Sequence, residues 1–68
     1  MNRSAELNGF LATVERRAFN LARFAVGNQE DALDIVQDSM FALVRRYGNR
    51  PREEWQPLFY RILQRRIT

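Results

Sequence analysis

Four carboxylates and no basic residue lie in the segment NQEDALDIVQDSMFALV, residues 28–44, of a chain whose formal net charge is +3. One side of this segment, if it is helical, carries a set that we call the acidic face: Asp31, Asp34, Gln37, Asp38 and Phe41. A large apolar ring surrounded by charges that set orientation is typical of an interface anchor. The alternatives are an incidental surface position for Phe41 and a merely solvated face for the carboxylates. The combination of ring and charges favours an interface.

The arginines are distributed just as unevenly. Residues 45–68 hold seven arginines against two glutamates, immediately after the acidic segment. If this region ends in a helix, its outer side carries hydrogen-bond donors and one aromatic ring: Tyr60, Arg61, Gln64, Arg65 and Thr68. Such segregation of charge along one short chain indicates two different partners.

The composition also excludes several classes of protein. A chain of 68 residues forms one small domain with a marginal core, so no deep catalytic cavity is expected. Without cysteine or histidine, the chain cannot form disulfides or thiolate and imidazole metal sites, and it lacks the usual acid–base residue. We therefore predict no cofactor, no metal and no enzymatic activity. With neither a signal peptide nor a membrane-spanning run, the predicted location is the cytoplasm.

The elements that must position these side chains are three helices, predicted at about residues 4–26, 29–47 and 57–68, which gives an all-α three-helix bundle. Gly27 suits the left-handed position just past a helix end, and Asn28 suits the N-cap of the second helix. Gly48 is predicted to stop that helix. The apolar stripe of the first helix is Leu7, Phe10, Leu11, Val14, Ala18, Leu21, Ala22 and Ala25.

The later helices have predicted inward sides as well. That of the second helix is Leu33, Val36, Met40, Leu43, Val44 and Tyr47. That of the third helix, which is expected to start near Pro57, is Leu58, Phe59, Ile62 and Leu63, with Arg66 on the same side. We interpret Trp55 as a core plug, and the residues between Pro51 and Pro57 as one helical turn. Because the chain stops at Thr68 while Ile67 is only partly assigned to the inward side, the third helix is expected to be truncated and the chain to be a fragment.

Two strings in this order carry a family resemblance. The string DALDIVQDSMFALVRRY, residues 31–47, is similar to a D-A-x-D-[LI]-V-Q-[DE]-x-[FM] helix, and LFYRILQRR, residues 58–66, is similar to a W-L-Y-R-I-A-R-N motif. Both motifs belong to region 2 of bacterial RNA polymerase sigma factors of the compact extracytoplasmic-function type. Leu58 replaces the family's tryptophan and Arg65 its asparagine. The resemblance covers almost the whole chain, and the family's second helix-turn-helix domain has no counterpart in it.

The resemblance implies two binding partners. The acidic helix is expected to dock on the clamp helices of the largest catalytic subunit of core RNA polymerase, where Asp34, Gln37 and Asp38 match polymerase-contacting positions. The loop Gly48–Arg52 is expected to capture a flipped base of the promoter's minus-ten element, and the third helix to hold the melted non-template strand. The implied DNA-binding set is Asn49, Arg50, Arg52, Tyr60, Arg61, Gln64, Arg65 and Thr68. The resemblance also leaves room for an anti-sigma factor.

Two other functions stay open on the sequence alone. One is a small helical adaptor whose acidic and basic faces both bind proteins. The other is a helix-turn-helix repressor of duplex DNA, which would require a turn of about three to four residues between two short helices. The second helix here is long and is followed by a longer connection. Comparing the binding of melted and duplex oligonucleotides would distinguish these functions.

Overall fold

The structure is a computed structural model that describes residues 3–68. In this range the chain forms α1 (Arg3–Val26), α2 (Gln29–Tyr47) and α3 (Trp55–Ile67), and a 3₁₀ turn at Arg52–Glu54 leads into α3. The prediction of an all-α three-helix bundle is confirmed. The single helical turn expected before the third helix is present as this 3₁₀ turn.

The first two helices form an antiparallel hairpin, and α3 packs along both of them. Only Gly27 and Asn28 separate α1 from α2, and Arg3, at the start of α1, reaches the backbone of Gly48, just past the end of α2. With 13 residues against 24 in α1, α3 covers only one end of the hairpin. The bundle is correspondingly elongated, with extents of 39 × 18 × 16 Å.

The turn between α1 and α2 follows local chemistry. Gly27 has a φ of 68°, a left-handed conformation that costs a residue without Cβ little. The side-chain oxygen of Asn28 accepts a hydrogen bond of 3.0 Å from the backbone N–H of Asp31, which satisfies one of the free donors of the first turn of α2. Both predictions for this turn are therefore confirmed.

An aromatic cluster joins α1 to α3. Trp55 and Phe59 are fully buried, and the ring of Phe10 on α1 lies 5.7 Å from that of Trp55 and 6.3 Å from that of Phe59. The indole N–H of Trp55 donates to the backbone oxygen of Tyr47 at 3.2 Å, so burial leaves this donor satisfied. The interpretation of Trp55 as a core plug is confirmed.

In the last two turns of α1 the predicted stripe is wrong at Leu21 and Ala25 and correct at Ala22, which is fully buried. Leu21 is 47% exposed, and Ala25 is exposed as well. The reason is the length of the partner: at about 1.5 Å per residue, α3 runs roughly 20 Å beside an α1 of roughly 36 Å. Only α2 remains to cover the end of α1, and Phe24 in the same region is 93% exposed.

The buried side of α2 is rotated from the predicted one. Leu33 and Val44 are 45% and 43% exposed, and Met40 and Tyr47 are half-buried. Val36 and Leu43 are buried as predicted, and the helix buries three small side chains with them: Ala32, Ser39 and Ala42. Small side chains allow neighbouring helices to approach closely. The buried hydroxyl of Ser39 donates to the backbone oxygen of Ile35 at 2.7 Å, so its burial leaves no donor unpaired.

Two details of α3 also differ from the prediction. The helix begins at Trp55, so Pro57 is its third residue, still within the first turn, where a missing N–H removes no hydrogen bond. Arg66, expected on the inward side, is exposed. Its side chain lines a cleft that also includes Leu58 and Ile62, which lets an apolar stem cover apolar surface while the guanidinium stays in water.

Among the helices of residues 3–68, none is long and apolar enough to cross a membrane.

Candidate functional site

All five residues of the acidic face are exposed on α2. Within residues 3–68, the carboxylates of Asp31, Asp34 and Asp38 form no ion pair; those present are Arg50 with Glu54 and Arg52 with Glu6. A carboxylate without an internal partner remains available for charge-assisted hydrogen bonds to a basic surface. The ring of Phe41 is 67% exposed beside these carboxylates.

An apolar border runs along the acidic face, and the sequence pattern missed it. Phe41 and Val44 line a groove between α1 and α2 together with Met40. A second groove between the same helices is lined by Leu33, and Gln37 lines both. Leu33 and Val44 had been assigned to the core. The small side chains at positions 32, 39 and 42 were the available signal, because they mark the side of α2 that packs closely.

Four arginines line a cleft between α2 and α3. The cleft has a volume of about 380 Å³ and is lined by Arg46, Tyr47, Leu58, Arg61, Ile62, Arg65 and Arg66. No carboxylate belongs to this lining, so the repulsion among four like charges is relieved by solvent or by an anion. Sequence reasoning had selected Arg61 and Arg65, but not Arg46 and Arg66. We call this feature the arginine cleft.

A cavity of about 640 Å³ lies between α1 and α3. Its lining combines two aromatic rings, two guanidinium groups, two carboxylates and an amide: Glu6, Phe10, Thr13, Val14, Arg17, Arg52, Glu53, Gln56 and Tyr60. Tyr60 is half-buried, and its ring meets that of Phe59 edge-on at a centroid distance of 5.3 Å. This mixed cavity therefore offers a supported aromatic surface beside both donors and acceptors of hydrogen bonds.

The loop between α2 and α3 is tied to its surroundings. The side chain of Arg50 pairs with Glu54 at 2.9 Å, and that of Arg52 approaches Glu6 at 3.8 Å. Arg3 donates from Nε to the backbone oxygen of Gly48 at 3.0 Å and from Nη2 to that of Arg50. Sequence reasoning assigned no role to Arg3, since a contact across 45 residues has no local signal.

The eight residues of the implied DNA-binding set are not gathered at one place. Arg52 and Tyr60 line the mixed cavity, whereas Arg61 and Arg65 line the arginine cleft. The other exposed members of the set, Asn49, Arg50, Gln64 and Thr68, line neither of them. Tyr60 and Arg61 are neighbours in sequence and face different grooves, because successive residues of a helix point about 100° apart.

The described residues contain no three His, Cys, Asp or Glu side chains close enough together to hold a metal ion. Comparisons with protein-family models, with curated proteins and with solved structures found no significant match to the chain. The features of the chain that bear on function are the acidic face, the arginine cleft, the mixed cavity and the two sequence strings.

Proposed function

We propose that this chain is region 2 of a bacterial sigma factor of the extracytoplasmic-function type and acts in the cytoplasm. In this proposal α2 docks on the clamp helices of core RNA polymerase, while the loop and α3 recognise and open the promoter's minus-ten element. The observation that carries the proposal is the separation of charge on one small bundle. Unpaired carboxylates and an exposed Phe41 share one side of α2, and four arginines line a different groove.

The acidic face suits a basic, partly apolar partner such as a pair of clamp helices. Asp34 and Asp38 can accept hydrogen bonds from arginine or lysine, and Phe41, about one turn after Asp38 on the same side of α2, adds a large apolar group. The absence of any basic residue from residues 28–44 avoids repulsion with such a partner. The same absence disfavours contact of this surface with DNA.

The arginine cleft suits the backbone of a separated DNA strand. Guanidinium groups neutralise phosphates irrespective of sequence, so the cleft would supply affinity that falls with salt. The walls formed by Tyr47 and Leu58 are apolar surfaces on which unstacked bases can lie. This part of the site would hold the strand without reading it.

The mixed cavity suits an unpaired base. Tyr60, braced by Phe59, offers a ring for stacking, and Gln56 and Arg52 offer polar groups to a base edge. Extrusion from the stack costs a few kcal/mol, least where the duplex melts easily. We therefore assign base capture to Arg52 and its cavity, whereas Arg50, which does not line the cavity, has a smaller part.

A charge reversal on α2 tests the docking step. Asp38→Arg is expected to abolish binding to purified core RNA polymerase while leaving the helical content unchanged, because a surface substitution costs within about ±0.5 kcal/mol of stability. Asn20→Arg, which adds the same side chain at an exposed position of α1, is the control and should bind normally. Full polymerase affinity in Asp38→Arg would remove the acidic face from the interface.

Oligonucleotide binding tests the other step. Fluorescence anisotropy is expected to show weak binding to the non-template strand of a minus-ten element, in preference to the same sequence as duplex. Stacking on Tyr60 requires an unpaired base, which accounts for the preference. Equal or tighter binding to the duplex would favour the repressor, and binding to neither DNA nor polymerase would favour the adaptor.

The connection between α2 and α3 supports the sigma-factor proposal over a repressor. Seven residues, 48–54, separate the two helices, and α2 itself has 19 residues. A helix-turn-helix motif places two short helices around a turn of about three to four residues. The adaptor would use the arginine cleft for an acidic protein instead of DNA, and the oligonucleotide measurement distinguishes the two.

A further inference from the structure

Arg3, in the first turn of α1, holds the loop that follows α2. Its guanidinium carbon lies 5.6 Å from the centre of the Trp55 ring, while two of its nitrogens donate to the backbone oxygens of Gly48 and Arg50. One planar group therefore meets two carbonyls and one aromatic face. A lysine could not reproduce this arrangement, because its ammonium is a compact point charge without a fork.

Backbone hydrogen bonds close the turn that follows α2. The backbone N–H of Gly48 donates to Val44 at 3.1 Å, and that of Arg50 donates to Tyr47 at 3.0 Å. The oxygen of Tyr47 accepts from the Trp55 indole as well. The carbonyls of Gly48 and Arg50 point the other way, toward Arg3, which places a cation at the negative end of the α2 dipole. Without Arg3, these two carbonyls would have water as their partner.

We propose that Arg3 is a positioning residue that sets the conformation of Asn49–Arg52 and thereby the base preference of the promoter-reading loop. Only the part of this inference that concerns base preference rests on the proposed function. Nε and Nη2 of Arg3 donate to Gly48 and Arg50, and its planar face lies on Trp55, so the role assigned to it is to hold the loop and not to bind DNA phosphate. The shape of the loop would thus be fixed by a residue that lies more than forty positions earlier in the chain.

The first measurement needs no ligand. Hydrogen–deuterium exchange of the full chain is expected to rise roughly tenfold or more at residues 48–54 in Arg3→Lys, since a hydrogen bond from a charged group is lost. The helical amides of α1 and α2 should keep their wild-type protection. Arg23→Lys, at the exposed last turn of α1, is the matched control and should exchange like the wild type. Unchanged exchange at residues 48–54, or a rise over all three helices, would overturn the positioning role.

The second measurement uses single-stranded minus-ten oligonucleotides with one base varied at a time. In Arg3→Lys the ratio of affinities for the preferred and disfavoured base should shrink by about fivefold or more. The salt slope should match that of the wild type, because phosphate contacts are untouched. A smaller slope would make Arg3 a direct phosphate contact, and an unchanged ratio would exclude a part in base preference. If the wild type itself shows no preference, the proposed function fails, while the exchange result still decides whether Arg3 positions the loop.

Discussion

Phe41 and Phe24 are both aromatic side chains turned to solvent, 67% and 93% exposed. They differ in their neighbours, since Phe41 lies among the carboxylates of α2 and lines a groove, whereas Phe24 lies near the end of α1. An exposed ring by itself is common on protein surfaces. The pair therefore separates an interface anchor from a ring that is merely exposed.

Phe41→Ser is expected to weaken binding to core RNA polymerase by about thirtyfold or more, the loss that corresponds to a central interface residue. Phe24→Ser should leave this affinity unchanged. Titration of labelled protein with core enzyme measures both. Equal losses of affinity in the two variants would indicate that nonspecific hydrophobic contact, and not the acidic face, dominates the binding.

At the residue scale, the sequence predicted the charged positions better than the apolar ones. Asp34 and Asp38 were placed outside correctly, because burying an unpaired carboxylate is too costly. Leu33 and Val44 were placed inside wrongly. Spacing alone treats every apolar side chain as equal, whereas the packed side of α2 is chosen by how closely Ala32 and Ser39 allow the neighbouring helices to approach.

Gly27 and Asn28 determine where α1 ends and where α2 begins. The cap formed by Asn28 can be tested by substitution. Asn28→Ala should lower the free energy of unfolding by about 1 kcal/mol, because the N–H of Asp31 loses its partner. Asn28→Gly should cost only a few tenths of a kcal/mol. Urea unfolding followed by circular dichroism would measure the difference, and equal costs for alanine and glycine would contradict a side-chain cap.

At the scale of the element, boundaries were predictable where the signal is local. Gly27 and Asn28 define their own turn, so the sequence was sufficient there. The start of α3 was missed by two residues because the 3₁₀ turn runs into the helix and Glu54 provides no side-chain cap. The exposure of Leu21 was missed for another reason: it depends on the length of α3, which the pattern of α1 does not contain.

For the whole molecule, the separation of the charged surfaces predicts separable effects. Three to five arginines in contact with phosphate would give a salt slope of about −2 to −3.5 for single-stranded DNA, and Arg61→Ala should reduce its magnitude by roughly 0.7. The same substitution should leave polymerase affinity unchanged, because Arg61 lies in the arginine cleft and not on the acidic face.

The control for this measurement is Arg23→Ala, which removes one positive charge outside the cleft and should leave the slope unchanged. A loss of polymerase binding in Arg61→Ala, with the slope of DNA binding intact, would mean that the two surfaces have the opposite assignments. Helical spacing alone predicts that Tyr60 and Arg61 point about 100° apart. The groove that each of them meets could not be read from the sequence, since it depends on where α1 and α2 lie around α3.

Trp55 is the only tryptophan of the chain, and the structure makes it a natural optical probe. Its indole is fully buried, hydrogen-bonded to Tyr47 and covered by the guanidinium of Arg3. The emission of an indole shifts to longer wavelength when water reaches it. Any rearrangement of the loop on binding a DNA strand should therefore change the emission wavelength and the intensity of the intrinsic fluorescence. The proposed binding of a promoter strand can thus be followed in real time in unlabelled protein, by stopped-flow mixing with the oligonucleotide.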